Sequence, residues 1–183
     1  MAESVILING LPGAGKSTLS EQLGEELGVP VVSKDRVKEL LADISQGQVT
    51  SGRLGQIASD TMWQVAAAIP GTVIVESWWY RPRDLGFVTG GLAQSGSPEV
   101  VEVWCEIPAS LAWKRYIDRQ RHEIHPTGIT AERDWADWST NAVPLGIGRT
   151  VKVDTSSPVD VIALVDLLST PVYNVEGNDQ ESP

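Results

Sequence analysis

The chain has 183 residues, a size typical of one compact domain, and 42% of them are hydrophobic, which is enough for a sizeable core. Fourteen lysines and arginines against 24 acidic residues give a formal net charge of −10. This charge excludes a duplex-DNA coat protein or a binder of anionic membranes, because both need a broad basic surface. The single cysteine, Cys105, excludes an internal disulfide framework and favours a reducing compartment.

The ends of the chain carry no recognisable targeting signal. No apolar stretch approaches the roughly 18 residues of a membrane span, and the first residues lack the basic start of a signal peptide. We therefore expect a cytoplasmic protein without a membrane partner. Residues 174–183 are polar and contain three acids, and we expect them to form a disordered acidic tail after a single domain over residues 1–173.

Short apolar runs alternate with longer amphipathic segments along the chain. The runs are too short for helices and predict buried strands over residues 5–8, 29–32, 72–75, 100–105 and 150–153. Apolar residues at helical spacing predict helices over residues 19–27, 35–44, 54–69, 83–93, 131–140 and 158–168, and a further helix that starts at 108. This alternation indicates an α/β fold, with a five-stranded parallel sheet that has helices on both faces.

A glycine-rich segment follows the first predicted strand and leads into a helix. It satisfies the pattern G-x-x-x-x-G-K-[ST], which in this context is typical of a loop that binds nucleotide phosphates. Backbone N–H groups of such a loop point at phosphate oxygens, and the helix N-terminus adds positive charge. We predict that Lys16 reaches the β- and γ-phosphates and that Ser17 binds Mg²⁺. The predicted nucleotide-binding residues of this loop are Gly10, Gly13, Ala14, Gly15, Lys16, Ser17 and Thr18.

With this loop as its most specific feature, the chain resembles the small P-loop kinases of the nucleoside-monophosphate-kinase type over residues 4–168. More narrowly, it is similar to the group of polynucleotide 5′-hydroxyl kinases, chloramphenicol phosphotransferases and zeta-toxin-like sugar-nucleotide kinases, which are often labelled AAA family ATPases. The resemblance implies a three-layer P-loop NTPase fold with a small lid, at about residues 119–133. It also implies ATP or GTP and Mg²⁺ as cofactors.

Two acidic residues follow predicted strands at the sheet edge where parallel α/β folds bind ligands. Asp35 comes just after the second strand, and the similar kinases have a general base there that takes the proton of the acceptor hydroxyl. The alternative is that Asp35 only caps the next helix. Arg36 is a candidate for binding an acceptor phosphate or hydroxyl. Glu76 ends the third strand, where it would hold Mg²⁺ through water, bind acceptor hydroxyls, or simply end the strand near solvent.

Three adjacent aromatic residues, Trp78, Trp79 and Tyr80, follow the third strand in a predicted loop at the same edge. Flat rings with N–H and O–H groups would form a binding platform for a sugar-like or other flat acceptor. Stacked nucleobases would use the same faces. The alternative is a loop that packs against a helix.

A strongly basic segment in this acidic chain coincides with the start of the lid, since four of the 14 basic residues lie within positions 114–122. Phosphoryl transfer spreads negative charge over the transferred group, and fixed arginines stabilise that charge. The resemblance implies that Arg115 stacks on the nucleotide base and that Arg119 reaches the phosphates, with Arg121 as an equally suitable catalytic arginine. The alternative is a solvated basic helix face.

The segments after the lid arginines and after the fifth strand supply the remaining candidates. The resemblance implies that Thr155 and Ser156 border the adenine, and the alternative is a helix start capped by Ser157. His122 and His125 lack the further ligands of a zinc site. We interpret residues 125–128 as the mobile turn of a lid that excludes water.

Together, these features predict a Mg²⁺- and ATP-dependent kinase that phosphorylates a hydroxyl of a small molecule such as a sugar, a nucleoside or an antibiotic. Its predicted catalytic residues are Lys16, Asp35, Arg119 and Arg121. A polynucleotide 5′-hydroxyl kinase is the first alternative, and nucleic acid is expected as a partner only in that role. A nucleotide-hydrolysing switch without an acceptor is the second. The oligomeric state and the choice between ATP and GTP stay open.

Overall fold

The computed structural model describes residues 2–96, 98–125 and 128–169. The strands are β1 (Ala2–Gly10), β2 (Val31–Ser33), β3 (Gly71–Glu76), β4 (Glu99–Glu106) and β5 (Arg149–Asp154). The helices are α1 (Lys16–Leu27), α2 (Lys34–Ser45), α3 (Ser51–Ala68), α4 (Arg81–Gln94), α5 (Ala109–Asp118), α6 (Gly128–Asn141) and α7 (Val161–Ser169). The predicted tail and residues 126 and 127 of the predicted lid lie outside the described residues.

The five strands form one sheet in the order β2-β3-β1-β4-β5, and every neighbouring pair is parallel. The central strand β1 pairs with β3 on one side and with β4 on the other, so that Val5 lies opposite both Val73 and Val100. Each strand needs a crossover connection to run parallel to its neighbour, and the helices provide it. The predicted α/β fold with a five-stranded parallel sheet is confirmed.

Helices cover both faces of the sheet because alternate residues of its central strand point to opposite sides. Val5 and Leu7 of β1 belong to one apolar core, which they share with Trp63 and other residues of α3 and α4. Ile6 and Ile8 belong to the other core, together with residues of α1, α5, α6 and α7. A strand buried on both faces reads as a continuous apolar run, and this is why β1 was easy to predict.

Several helices begin earlier or later than the sequence predicts, and three of these differences bear on the site or its flanks. Helix α2 begins at Lys34, so Asp35 is its second residue, and Ser33 occupies the cap position without a capping side-chain bond. Helix α6 begins at Gly128 rather than at 131. Helix α7 begins at Val161, where Asp160 Oδ1 accepts a hydrogen bond of 3.0 Å from the Ala163 amide, so the predicted helix start near Ser157 is wrong.

Among the described residues, no helix is long and apolar enough to span a bilayer.

The carboxyl ends of all five strands meet at one edge of the sheet. The strands end there at Gly10, Ser33, Glu76, Glu106 and Asp154. In open parallel sheets, ligands bind in the crevice outside this edge, where connections leave toward opposite faces. The order of the strands places the end of β1 between the β2–β3 side and the β4–β5 side, and every residue discussed below lies around that centre.

Candidate active site

The phosphate loop between β1 and α1 has the conformation that its glycines permit. Gly15 is the N-terminal cap of α1 and has a φ of 82°, while Gly13 has a φ of 84°. A Cβ atom on Gly13 would collide with the Ala112 carbonyl oxygen, so this position accepts no side chain. The loop backbone therefore curls tightly above the start of α5, with its N–H groups at a helix N-terminus, which is an arrangement that can bind a chain of phosphates.

Lys16 is buried under the loop. Its Nζ donates hydrogen bonds of 3.0 Å to the carbonyl oxygens of Gly10 and Leu11. Burial lowers the pKa of Lys16, and the nearby carboxylate of Glu76 only partly opposes this shift. A buried ammonium of this kind gains from a neighbouring anion, and phosphate oxygens would supply one.

Glu76 ends β3 and is 3% exposed, which rules out the alternative of an acid that simply faces solvent. Its Oε2 accepts a hydrogen bond of 2.6 Å from Ser33 Oγ, and its Oε1 accepts one of 3.4 Å from Ser17 Oγ. Burial raises the pKa of Glu76, while the Lys16 ammonium opposes the shift. The hydroxyl of Ser17 and the carboxylate of Glu76 are hard oxygen donors, so these residues fit Mg²⁺.

A cavity of about 600 Å³ opens at the carboxyl edge of the sheet. The phosphate loop forms its floor, and α2, the segment after β3, α4, α5 and α6 form its walls. Its lining residues are Pro12, Gly13, Gly15, Lys16, Ser17, Thr18, Glu21, Lys34, Asp35, Lys38, Glu76, Ser77, Trp78, Arg83, Arg115, Tyr116, Arg119, Arg121 and Trp138. Gly10 and Ala14 of the loop do not line the cavity, and Ala14 is fully buried.

Asp35 and Arg121, predicted as base and catalytic arginine, meet in this cavity. Asp35 Oδ2 lies 3.6 Å from Arg121 Nη2, and the Arg121 guanidinium lies 4.8 Å from the centre of the Tyr116 ring. Because Asp35 is not at the cap position of α2, its carboxylate does not serve as the helix cap. The arrangement puts an exposed carboxylate and a fixed guanidinium above the phosphate loop, which can orient a hydroxyl and balance developing charge.

The face of α2 that lines the cavity differs from the sequence prediction. Lys34, Asp35 and Lys38 all line the cavity, and Lys38 lies three and four positions after the other two, the spacings that make side chains neighbours on a helix surface. Arg36, predicted to bind the acceptor, does not line the cavity: its guanidinium is 3.6 Å from the Glu21 carboxylate, with both side chains largely exposed. Lys38 lines the cavity instead.

The predicted platform of three aromatic rings does not form. Trp79 is 3% exposed and lies in the hydrophobic core, where its ring stacks on Trp63 with centroids 6.4 Å apart. Its backbone N–H donates to Asn9 Oδ1 (3.0 Å) and its carbonyl accepts from Asn9 Nδ2 (3.2 Å), so the backbone as well as the ring faces inward. Tyr80 bonds to Asp137 and Asn141 of α6 and does not line the cavity.

The aromatic wall that the cavity does have comes from distant parts of the chain. Trp78 lies edge-on to Trp138 of α6, with ring centroids 5.9 Å apart. The Trp78 Nε1 atom is buried and has no hydrogen-bond partner among the described residues. Sequence reasoning missed Trp138, because nothing in the amphipathic pattern of α6 reveals which element it packs against.

Asn9 and Glu102 form a buried polar network that the sequence analysis also missed. Glu102 is fully buried in β4, and its carboxylate accepts hydrogen bonds from Asn9 Nδ2 (3.1 Å) and from the backbone N–H groups of Leu145 (2.9 Å) and Gly146 (3.0 Å). Asn9 Oδ1 in turn accepts from the Gly10 N–H at 2.8 Å. The available signal was a lone acid in the middle of a strand buried on both faces, since a buried charge needs partners.

The nucleotide-side candidates on α5 and after β5 come together. Arg115 Nη1 donates to the Thr155 carbonyl (2.8 Å), and Nη2 donates to the Ser156 carbonyl (2.7 Å). Arg115 and Arg119 both line the cavity. This contact fixes Arg115 at the β4–β5 side of the phosphate loop, where it can stack on a base, whereas Thr155 and Ser156 do not line the cavity themselves.

The described part of the lid is docked on α2. Three acids of α2 lie four residues apart on one face, and each faces a basic side chain that follows α5. Besides the pair of Asp35 with Arg121, His122 Nε2 lies 3.1 Å from Asp43 Oδ1, and His125 Nε2 lies 2.8 Å from Glu39 Oε1. The two histidines therefore contact carboxylates on α2 and attach the lid to that helix.

A second cavity, of about 740 Å³, lies at the opposite edge of the sheet. Its lining includes Ser4, Thr72 and Glu99 at the amino ends of β1, β3 and β4. Although it is larger, it contains none of the predicted site residues. We therefore place the candidate active site in the cavity above the phosphate loop.

Solved structures share this fold. A protein provisionally named as a kinase from Chloroflexus aurantiacus is 24% identical with a TM-score of 0.76, over 90% of this chain and 96% of that one. A gluconokinase from Sinorhizobium meliloti is 20% identical with a TM-score of 0.59, over 90% and 88%. The APS kinase CysC of Mycobacterium tuberculosis, solved with AMPPNP and APS, is 17% identical with a TM-score of 0.62, over 91% and 98%.

The sequence also matches a family model. A search of curated proteins finds no match. The model described as an AAA domain, by contrast, matches residues 5–140, which is more than half of the chain and includes the phosphate loop, Asp35 and Glu76. The chain therefore belongs to the AAA domain family.

Proposed function

We propose that the protein is a Mg²⁺- and ATP-dependent phosphotransferase that moves the γ-phosphate to a hydroxyl of a small molecule such as a sugar, a nucleoside or an antibiotic. The observation that carries the proposal is the pair of Asp35 and Arg121, 3.6 Å apart, in the cavity whose floor is the phosphate loop with Lys16. Transfer to an alcohol needs a phosphate-binding group, a base for the acceptor proton and a cation for the developing charge.

The proposed reaction is a direct displacement. The acceptor oxygen bonds to the γ-phosphorus as the bond to the β–γ bridging oxygen breaks, ADP leaves, and the hydroxyl proton passes to the Asp35 carboxylate. Lys16 and the loop N–H groups hold the phosphates, while Arg119 and Arg121 stabilise the charge on the transferred group. Arg115, held by the carbonyls of residues 155 and 156, contacts the nucleotide base.

Ser17 and Glu76 are the residues that would hold Mg²⁺. When bound, the ion neutralises charge on the β- and γ-phosphates and favours departure of ADP. The contacts of the lid with α2 support the proposal in a second way, because a lid held across the cavity excludes water, which would otherwise compete with the acceptor for the phosphate.

Two observations favour a small acceptor over a polynucleotide. The cavity volume of about 600 Å³ is typical of small-molecule sites. The similar structures also include kinases named for small molecules, a gluconokinase and a shikimate kinase solved with shikimate. We infer a cytoplasmic location as well, where ATP is abundant and the lone thiol of Cys105 stays reduced.

The test is transfer of label from ATP carrying a labelled γ-phosphate. The acceptor panel contains sugars, sugar acids, nucleosides, antibiotics and 5′-hydroxyl oligonucleotides, and ATP consumption is followed with and without each acceptor. We expect label on a small alcohol and acceptor-stimulated consumption of ATP, both lost in Asp35→Asn. Label on oligonucleotides alone would establish the polynucleotide kinase instead. Full ATP hydrolysis that no acceptor stimulates would establish the switch.

A further inference from the structure

The cavity above the phosphate loop has the opposite charge from the rest of the protein. Seven lysines and arginines line it against three acids, although the chain as a whole carries a net charge of −10. Cations that line a concave site raise the local concentration of anionic ligands and bind them. A bound nucleotide would account for some of these seven cations. Their positions show which of them remain for another anionic group.

The cations fall on two sides of the phosphate loop. Arg115 of α5 lies on the β4–β5 side, where the carbonyls of residues 155 and 156 accept its hydrogen bonds. Arg119 comes directly after the end of α5. Lys34 and Lys38 of α2 and Arg83 of α4 lie on the β2–β3 side, and the two lysines share their helix with Asp35. Under the proposed function, the first side binds nucleotide and the second side binds the acceptor, so three cations face the acceptor.

Neither lysine of α2 forms a close ion pair in the described part of the chain. None of the ion pairs among the described residues includes Lys34 or Lys38. Lys38 is half-buried, and its Nζ donates only to an uncharged group, Ser51 Oγ, at 2.8 Å. Burial lowers the pKa of Lys38, and the nearby carboxylate of Asp35 only partly opposes this shift, while the positive charges of Lys34 and Arg121 add to it. A further anion bound beside Lys38 would therefore stabilise its charged form.

Arg83 is held in position at the same wall. Its Nε and Nη2 atoms donate hydrogen bonds of 2.8 and 2.7 Å to the two oxygens of Asp84. The Asp84 carboxylate also accepts from the Tyr80 N–H at 2.8 Å, which anchors it to the start of α4. The fork uses two of the five N–H groups of the guanidinium, so a fixed set of donors remains for a planar oxyanion at the cavity wall.

We propose that the acceptor carries an oxyanion, either a carboxylate or a phosphate, in addition to the hydroxyl that is phosphorylated, and that Lys38 and Arg83 bind this oxyanion. The inference rests on the proposed function, since it assigns this side of the cavity to the acceptor. Trp78 and Trp138 lie beside these cations and pack against the body of the acceptor. The acceptor is therefore a compact, anionic alcohol with a flat or ring-shaped face.

The test compares pairs of related alcohols, one member with an oxyanion and the other without. Gluconate with glucose, shikimate with its methyl ester, and a sugar phosphate with the free sugar are assayed as acceptors of labelled γ-phosphate. The first two pairs test a carboxylate and the third a phosphate. We expect kcat/KM to be at least about tenfold higher for the anionic member of the productive pair, the usual size of a charge-assisted hydrogen bond.

Variants connect this preference to the two side chains. Lys38→Gln and Arg83→Gln should remove the preference for the anion and leave the KM for ATP unchanged, while Lys38→Arg should keep the preference. Lys114→Gln is the matched control, because it removes the same charge from an exposed face of α5 outside the cavity. Melting temperatures of all variants identify any loss that comes from unfolding.

A binding experiment separates failure of this inference from failure of the proposed function. Intrinsic tryptophan fluorescence, to which Trp78 and Trp138 contribute with the other five tryptophans, is followed while the complex with a non-hydrolysable ATP analogue is titrated with the same pairs. Equal use of neutral and anionic alcohols, or equal losses for both in the Lys38 and Arg83 variants, would overturn the inference and leave the kinase proposal intact. If no alcohol is phosphorylated, the kinase proposal fails, and the binding data then decide the anion site alone: anion binding that depends on Lys38 and Arg83 supports this site, and its absence overturns it.

Discussion

The phosphate loop and the acceptor side of the cavity are built in two different ways. The loop is one continuous stretch between β1 and α1, and it would bind its ligand largely through backbone N–H groups whose directions are set by glycines such as Gly13. The acceptor side takes side chains from α2, the segment after β3, α4 and α6. Its groups are far apart in sequence, and their positions depend on how those elements pack.

This difference implies that the phosphate loop determines the reaction and that the acceptor side determines the substrate. Under the proposed function, the loop binds a group common to every reaction, so a change there should affect all acceptors equally. The acceptor side binds through individual side chains, so a change there should alter which acceptor is used. Four substitutions follow in order of expected effect: the first two change one group in each region, and the last two change contacts that hold the regions in place.

Lys16→Ala should have the largest effect, because it removes a buried cation from the floor of the site. We expect kcat/KM to fall on the order of 10³-fold, equally for every acceptor. The measurement is steady-state turnover with at least two acceptors, and Lys114→Ala on the exposed face of α5 is the control. A loss confined to one acceptor would break the division between the two regions.

Asp35→Asn should come next, because it keeps the size of the side chain and removes its ability to take a proton. We expect kcat to fall roughly 10²-fold or more, with little change in ATP affinity measured by equilibrium titration. Asp43→Asn, two turns further along α2 and paired with His122, is the matched control. A lower melting temperature with normal turnover would leave Asp35 as nothing more than a partner of Arg121.

Glu102→Gln tests the network that holds the two regions together. The amide has one acceptor oxygen and an NH₂ group that would face the N–H donors of Asn9, Leu145 or Gly146, so one donor is left unpaired. We expect the free energy of unfolding to fall by about 1–3 kcal/mol in urea denaturation. Glu106→Gln on the same strand should cost less than about 1 kcal/mol, because Glu106 is exposed and pairs only with Lys152.

His125 should give the smallest effect, one that depends on pH. Burial lowers the pKa of His125 below its ordinary 6.5, although Asp35 and the Glu39 hydrogen bond oppose the shift. As the pH falls, the unfolded chain therefore takes up the proton first, so the stability due to neutral His125 is complete above about pH 6.5 and is lost toward the lower folded pKa. His125→Asn should flatten the fall in melting temperature between about pH 7 and pH 5. If the melting temperature of the variant falls as steeply as that of the wild type, groups other than His125 cause the fall.

The sequence was sufficient wherever structure and chemistry are local. The phosphate loop, the buried strand before it and the helix after it are contiguous, and each signal supports the others. The placement of Asp35 at the binding edge also followed from local order, because the carboxyl ends of parallel strands meet there. Its role as a base remains a prediction, since the structure gives its position and its pairing with Arg121 but not its chemistry.

The sequence was insufficient wherever it did not determine whether a side chain points to the cavity, to the core or to solvent. Helix α2 begins one residue earlier than predicted, and its phase turns Lys38 toward the cavity and Arg36 toward Glu21. Trp79 points into the core because the Asn9 amide binds its backbone on both sides, a contact across 70 positions. Such choices depend on tertiary packing, which no short segment encodes.

Trp78 and Trp79 are neighbours in the chain with opposite surroundings, and this has a consequence for altering the enzyme. The Trp79 N–H donates to the Asn9 side chain, and the Trp79 ring stacks on Trp63 in the core. The Trp78 ring, which lies against Trp138 at the cavity, can therefore be exchanged while Trp79 stays in place. A directed-evolution library that randomises Trp78, Arg83 and Trp138 would sample new acceptors on an unchanged scaffold. Duplicated genes could diverge in the same way, because a change in acceptor specificity would leave the phosphate loop unchanged.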